Sequence, residues 1–140
     1  MFMKIMAAID GGNTSMTALT EAMRIATSQQ ATLCIVYAAS DSDRDDQLAG
    51  INLLERAVPI ERGGIKVETR LLRAEAEYGL NGVVEAIATA ADEWGADLVV
   101  VGTANRRGLE RFVIGSVAEQ LIPKVDASIL MVRPHRSPDS

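Results

Sequence analysis

The residues best placed for chemistry lie in two stretches. One is Asp10 with Gly11-Gly12; the other is Gly102-Thr103-Ala104-Asn105-Arg106-Arg107-Gly108, running on to Gly115-Ser116. The second stretch joins an apolar run to a helical pattern, and it is longer than the roughly 2–6 residues that most strand-to-helix connections use. Gly102, Gly108 and Gly115 let a ligand approach backbone closely or take positive φ, and Asn105 tolerates the left-handed region better than most residues. At Gly115-Ser116 the loop meets a helix start, where free N–H groups and a hydroxyl make a candidate phosphate cradle. Arg106 and Arg107 carry charge that can neutralise phosphate. Asp10 offers a carboxylate to a ribose or a base. Each feature also has a plainer reading. Asp10 can simply open a turn, Ser116 and Glu119 match a capping box, and arginines in a loop are usually solvated.

Other chemistry is absent. There is no G-x-x-x-x-G-K-[ST] loop, no G-x-G-x-x-G after a first strand and no G-x-S-x-G elbow. The single histidine, His135, lies near the end of the chain, which argues against a Ser-His or Cys-His nucleophile. Cys34 is alone within an apolar run and reads as a buried thiol in a reducing compartment. No Cys/His cluster has zinc-ligand spacing. Asp41, Asp43 and Asp45 begin like a calcium loop, but Asp46 stands where glycine is needed and Asn52 where glutamate is needed. That stretch reads as a solvated loop. The balance favours binding over efficient catalysis.

The elements that hold these residues alternate in type. Lys4–Ile9, Ala31–Ala38, Leu98–Val101 and Ser128–Val132 are apolar strand candidates, and strands without polar alternation are buried on both faces. Val67, Thr69 and Leu71 alternate with Lys66, Glu68 and Arg70, as in a half-exposed edge strand. Helical spacing joins Met16, Leu19, Met23 and Ala26, with Asn13, Thr14 or Ser15 as candidate caps. The same spacing joins Leu48, Ile51, Leu54 and Val58 up to Gly63-Gly64, then Val84, Ile87, Ala91 and Trp94, and lastly Val117, Leu121 and Ile122. Alternating strands and helices predict a three-layer α/β fold around an open parallel sheet, in a single domain over 1–140 with 133–140 as a frayed tail.

Composition narrows the function classes. The chain is 48% hydrophobic and 24% charged with a net charge of −5, which fits a globular protein and argues against a nucleic-acid binder. No apolar run approaches the roughly 20 residues that span a bilayer, and no secretory leader is evident. A cytoplasmic protein without membrane partners is expected. In open α/β sheets ligands sit beyond the carboxyl ends of the strands, where strand order reverses. If the first and fourth strands are neighbours, Asp10 faces the Gly102 loop across one crevice.

These stretches resemble the universal stress protein family over Lys4 to Arg133. The resemblance rests on Ala8-Ile9-Asp10-Gly11 and on Gly95-Ala96-Asp97-Leu98-Val99-Val100-Val101-Gly102-Thr103. It rests most on Gly102-x2-Asn105-x9-Gly115-Ser116, beside the G-x2-G-x9-G-[ST] of the family's nucleotide-binding branch. The resemblance implies a five-stranded parallel sheet of order 3-2-1-4-5. It implies ATP as ligand, with or without Mg2+, and a homodimer through the fifth-strand edge at Ile129, Leu130, Met131 and Val132. By the same resemblance Ala8, Ala38 and Val101 line a base pocket and Asp10 meets the ribose or adenine. Gly102, Asn105, Gly115, Ser116 and Val117 hold ribose and phosphates, with Thr103 and Arg106 counted among the nucleotide-binding residues.

Two departures are visible: Asn105 replaces the motif's second glycine, and the connection Arg73 to Gly82 lacks the family's Gly-x-Pro. Three readings follow. The first is an ATP-binding stress-response homodimer that acts through a regulatory protein partner the sequence does not name. The others are a dimer that binds no nucleotide and a slow ATP hydrolase.

Overall fold

The central strand is apolar after its first residue, Lys4. In a computed structural model describing residues 1–102 and 116–133, β1 (Lys4–Ala8) is hydrogen-bonded on both sides, and its Ile5, Met6 and Ala7 are fully buried. The chain continues through α1 (Asn13–Gln29), β2 (Thr32–Ser40), α2 (Arg44–Ala57), β3 (Val67–Ala74) and a single 3-10 turn at Ala76–Tyr78. It then forms α3 (Leu80–Trp94), β4 (Leu98–Gly102), α4 (Ser116–Leu121) and β5 (Ser128–Val132). Among the described residues the strands make one five-stranded sheet, all parallel, in the order β3-β2-β1-β4-β5. The layering is the one expected from the alternating elements, and the order is the one the family resemblance implies.

Alternate strand residues feed two separate cores, because successive side chains leave a strand on opposite faces. Ile5, Ala7, Leu33, Ile35, Leu98 and Val100 pack beneath α1 and α2. Met6, Cys34, Val36, Val99 and Val101 pack beneath α3 and α4, against Val84, Ile87, Ala91, Trp94 and Leu121. Cys34 is fully buried here, and burial pushes its thiol from 9.0 up to about 11. At the amino ends of the strands Trp94 Nε1 donates to Glu68 Oε1 at 2.9 Å, and Lys4 Nζ lies 4.6 Å from the Trp94 ring centroid. This fastening is at the far end from any ligand crevice of the expected kind.

Several local expectations are corrected. α2 does not bury Leu48 and Ile51, which are 48% and 41% exposed; its inward residues are Gly50, Leu54 and Ala57. The reason is Tyr37. Its ring fills the space over Gly50, where a Cβ would come within 2.5 Å of Tyr37 Cδ1, so the helix approaches the sheet along its glycine. α2 also stops at Ala57, well short of Gly63-Gly64, because Val58 precedes Pro59 and takes an extended conformation. Ile122 falls beyond the end of α4 and is exposed.

The acidic loop is knitted into the fold. Asp43 caps α2 by accepting from the Asp46 N–H at 3.1 Å, and Asp41 Oδ1 accepts from the Ala76 N–H at 3.1 Å. The cap of α1 is backbone Gly12, with no side-chain cap bond.

Candidate functional site

The register of the sheet puts the ends of β1 and β4 side by side: Ala8 pairs with Val101, and Gly102 follows at once. Past β1 the chain makes a tight turn. Asp10 Oδ1 accepts the Gly12 N–H at 2.8 Å, while Ser15 Oγ accepts the Asp10 N–H at 3.2 Å and donates to the Gly12 carbonyl at 3.0 Å. Gly11 at φ 88 supplies the left-handed step. The turn reading of Asp10 is therefore correct for one carboxylate oxygen. The other, Oδ2, has no bond among the described residues, on a side chain that is exposed and held in place by the turn.

A cavity of about 270 Å³ opens above these strand ends. Ala8, Asp10, Ala38, Val101, Gly102 and Val117, all named from the sequence, line it together. The alanines at the ends of β1 and β2 are small, and their size leaves the volume. Leu80, Val83 and Ile87, at helical spacing on α3, form an apolar wall, and Tyr37, Ile9 and Ser15 complete the lining. Thr103, Asn105, Arg106 and Gly115 lie outside the described residues, as do Arg107 and Gly108; Ser116 is placed only as the first residue of α4. A larger groove, about 440 Å³, runs between β3 and α3, but it carries charges of both signs and none of the residues named above.

Of the two reasons read from sequence for Gly102, positive φ does not hold, and the fold adds a third. Its φ is not positive. Instead, a Cβ there would lie 2.7 Å from the Thr14 carbonyl oxygen and 3.0 Å from the Ser15 nitrogen, so β4 ends against the first turn of α1. Thr14 Oγ1, in that same turn, is buried with no hydrogen-bond partner among the described residues.

Tyr37 was not singled out from sequence, because in an apolar strand it counts as core. Its hydroxyl donates to Asp46 Oδ1 at 2.5 Å, and Asp46 Oδ2 accepts the Ser40 N–H at 2.8 Å. Burial, then the bond to Asp46, then the carboxylates of Asp46, Asp10 and Asp43 push the phenol from 10.0 up to about 12. Leu80 and Val83 were missed too. The signal was present as apolar residues extending the core stripe, Leu80 four residues before Val84 and Val83 four before Ile87.

The whole chain up to Arg133 matches a known family profile, the universal stress protein family, over residues 1–133. The chain belongs to that family. Universal stress protein YxiE of Bacillus subtilis is 30% identical, the alignment spanning 95% of this chain and all of the relative. A universal stress protein solved in complex with cAMP superposes with a TM-score of 0.72 at 22% identity, covering 97% of this chain and 99% of that one. The Archaeoglobus fulgidus universal stress protein solved with dAMP gives 0.71 at 24% identity, covering 93% of this chain and 97% of that one. At these identities the two structures establish the family's fold for this chain. Among the described residues no helix is long and apolar enough to cross a membrane, and no group of three or more His, Cys, Asp or Glu is placed to hold a metal ion.

Proposed function

We propose that this chain is an adenine-nucleotide-binding member of the family, with ATP as its ligand, and that it works as a nucleotide-occupied homodimer read by a protein partner. The observation that carries this reading is the cavity over β1 and β4. It joins an apolar floor and wall suited to a base with one fixed carboxylate at the rim. Family members solved with cAMP and dAMP support the choice of an adenine nucleotide. The base rests on Ala8, Ala38 and Val101 against Val83 and Ile87, the ribose meets Asp10, and the phosphates run towards the segment after Gly102 and the start of α4 at Ser116 and Val117. Any Mg2+ would travel with the phosphates.

Hydrolysis, if present, is slow. The described lining offers only Asp10 and Tyr37 as titratable groups, and Tyr37 is held protonated far above neutral pH. A buried, unpaired Cys34 supports a reducing, cytoplasmic setting. The rival reading, a dimer that binds no nucleotide, is favoured by Asn105 in place of the motif glycine.

Two measurements separate the readings. Mass spectrometry of the supernatant from denatured, freshly purified protein is expected to show ATP or ADP. Calorimetry is expected to show ATP binding that Ala38→Leu, which fills the cavity, removes without lowering the unfolding temperature by more than a few degrees. Protein that carries no nucleotide and gives no heat with ATP would overturn the proposal.

A further inference from the structure

The groove between β3 and α3 lies apart from the nucleotide crevice and borders an unpaired strand edge. We propose that this groove and the open edge of β3 together dock an extended segment of a protein partner, one whose apolar side chain is flanked two residues away by an acidic and a basic one. The proposal rests on the partner in the reading above and not on the nucleotide.

The backbone of β3 is half used. It pairs with β2 alone, and Lys66 and Ala74 turn their carbonyls to that side, accepting from the Leu33 and Asp41 N–H groups at 2.9 Å. Main-chain groups of successive strand residues point to opposite sides. Thr69, Leu71 and Arg73 therefore face outward, and among the described residues nothing bonds their N–H groups or carbonyls.

The groove beside this edge holds about 440 Å³. Trp94 bonded to Glu68 at one end, and Gly82 packed on the Glu75 backbone at the other, hold α3 and β3 in opposite senses. Leu72 forms the floor with Gly82, Ala86 and Ala90, which are four residues apart on α3 and small enough to leave the depth. From Gly82 to Glu93 the helix rises roughly 16 Å at ~1.5 Å per residue. That is the length of about five extended residues. Arg70 and Glu93 lie towards the Trp94 end, Arg73 and Glu75 towards the Gly82 end. Among the described residues no ion pair or hydrogen bond engages these four side chains, whereas Glu85 is already held by Lys124.

A segment laid on the edge exchanges main-chain hydrogen bonds with Thr69, Leu71 and Arg73 and drops alternate side chains into the groove. Its central side chain rests on the apolar floor. The side chains two residues to either side each meet an arginine and a glutamate, so one acid and one base are both satisfied. A second copy does not fit, because antiparallel pairing of two β3 edges sets arginine against arginine. The charges that keep copies apart here are the ones that select the partner.

The test is an NMR titration of the isotope-labelled full chain with the acetylated, amidated peptide Thr-Glu-Thr-Leu-Thr-Lys-Thr. The amides of Thr69, Leu71 and Arg73 are expected to shift saturably and to exchange their hydrogens more slowly. Those of Arg70 and Leu72, directed to β2, should keep their exchange rates. A peptide with aspartate for the central leucine is expected to bind about fivefold or more weakly, having lost its contact with the floor. Arg70→Glu with Arg73→Glu changes two exposed side chains that have no partner, so the fold is retained, and thermal unfolding checks this. That double variant is expected to weaken the parent peptide by about fivefold or more. Absence of saturable shifts at the three outward amides, or equal affinity in the double variant, would overturn the proposal. Shifts at the same amides that grow with protein concentration alone would give the edge to a second copy and overturn it too. Calorimetry with ATP on the same protein reports the nucleotide separately, so either reading can fail without the other.

Discussion

Gly102 and Thr14 meet backbone to backbone: a Cβ on Gly102 would stand 2.7 Å from the Thr14 carbonyl oxygen. The clash is with main chain in the first turn of a helix, so no side chain can rotate away to relieve it. Gly102→Ala must push the end of β4 from α1, or push α1 from the sheet. Overpacking of this kind costs about 1–3 kcal/mol. Urea unfolding is expected to show that loss as a lower midpoint with an unchanged slope. A midpoint equal to the parent's would mean that the first turn of α1 yields freely, and the crevice would lose its rigid corner.

The neighbouring Thr14 makes the opposite prediction. Its Oγ1 is buried and unpaired among the described residues, so the folded state carries a desolvated hydroxyl without return. Valine has nearly the same shape and no polar atom. Thr14→Val is expected to stabilise the protein by about 1 kcal/mol, seen as a raised urea midpoint. A fall in stability would show that the hydroxyl has a partner after all.

Tyr37 ties the crevice to α2 through Asp46, and its phenol is raised from 10.0 to about 12. The raised value means that the folded protein holds a proton which the unfolded chain releases near pH 10. Stability contributed this way is intact below the unfolded value and is lost as pH climbs through the folded one. Urea midpoints are therefore expected to fall from about pH 10 upward. In Tyr37→Phe that alkaline fall should be shallower, while stability at neutral pH drops by about 0.5–1.5 kcal/mol for the lost hydrogen bond. An unchanged alkaline slope in the variant would assign the fall to other groups, of which Cys34 is the first candidate because its thiol is also raised.

What the sequence revealed and what it hid follow from the range of the interactions. β1 and β4 were legible because burial on both faces leaves an uninterrupted apolar run, and Ala8, Asp10 and Gly102 were legible because they sit where such runs end. The buried face of α2 was not. Leu48 and Ile51 have the right spacing, but the position of Tyr37 on a different strand decides that glycine faces inward. Tyr37 itself was hidden for the same reason: its role depends on Asp46, which the chain brings back over it only after β2 turns into α2. The acidic loop is exposed from Asp41 to Asp45, as read, but its capping bonds leave no mark in composition. Asn105 and the rest of the loop after Gly102 lie outside the described residues.

The two free edges of the sheet differ in a way that predicts how copies associate. β3 carries Glu68, Arg70 and Arg73, with Lys66 just before it, the charged guard that keeps an edge strand single. β5 carries no charge between Ser128 and Val132. Its four apolar residues do not act alike. Leu130 and Val132 pack against the core beneath α1, whereas Ile129 and Met131 share a hollow of about 360 Å³ with Ile122, and Met131 and Ile122 are 39% and 65% exposed. A homodimer through β5 would cover this apolar face, so Met131 and Ile122 should dominate it. Met131→Glu is expected to shift the protein from dimer to monomer in sedimentation velocity over a concentration series, with the thermal unfolding of the monomer otherwise preserved. Leu130→Ala should instead lower stability through a partial cavity beneath α1, by less than the roughly 2–5 kcal/mol of a fully buried leucine because Leu130 is half-buried, and affect association only as the fold weakens. A parent that sediments as a monomer, or a Met131→Glu variant that stays dimeric, would move the interface away from β5.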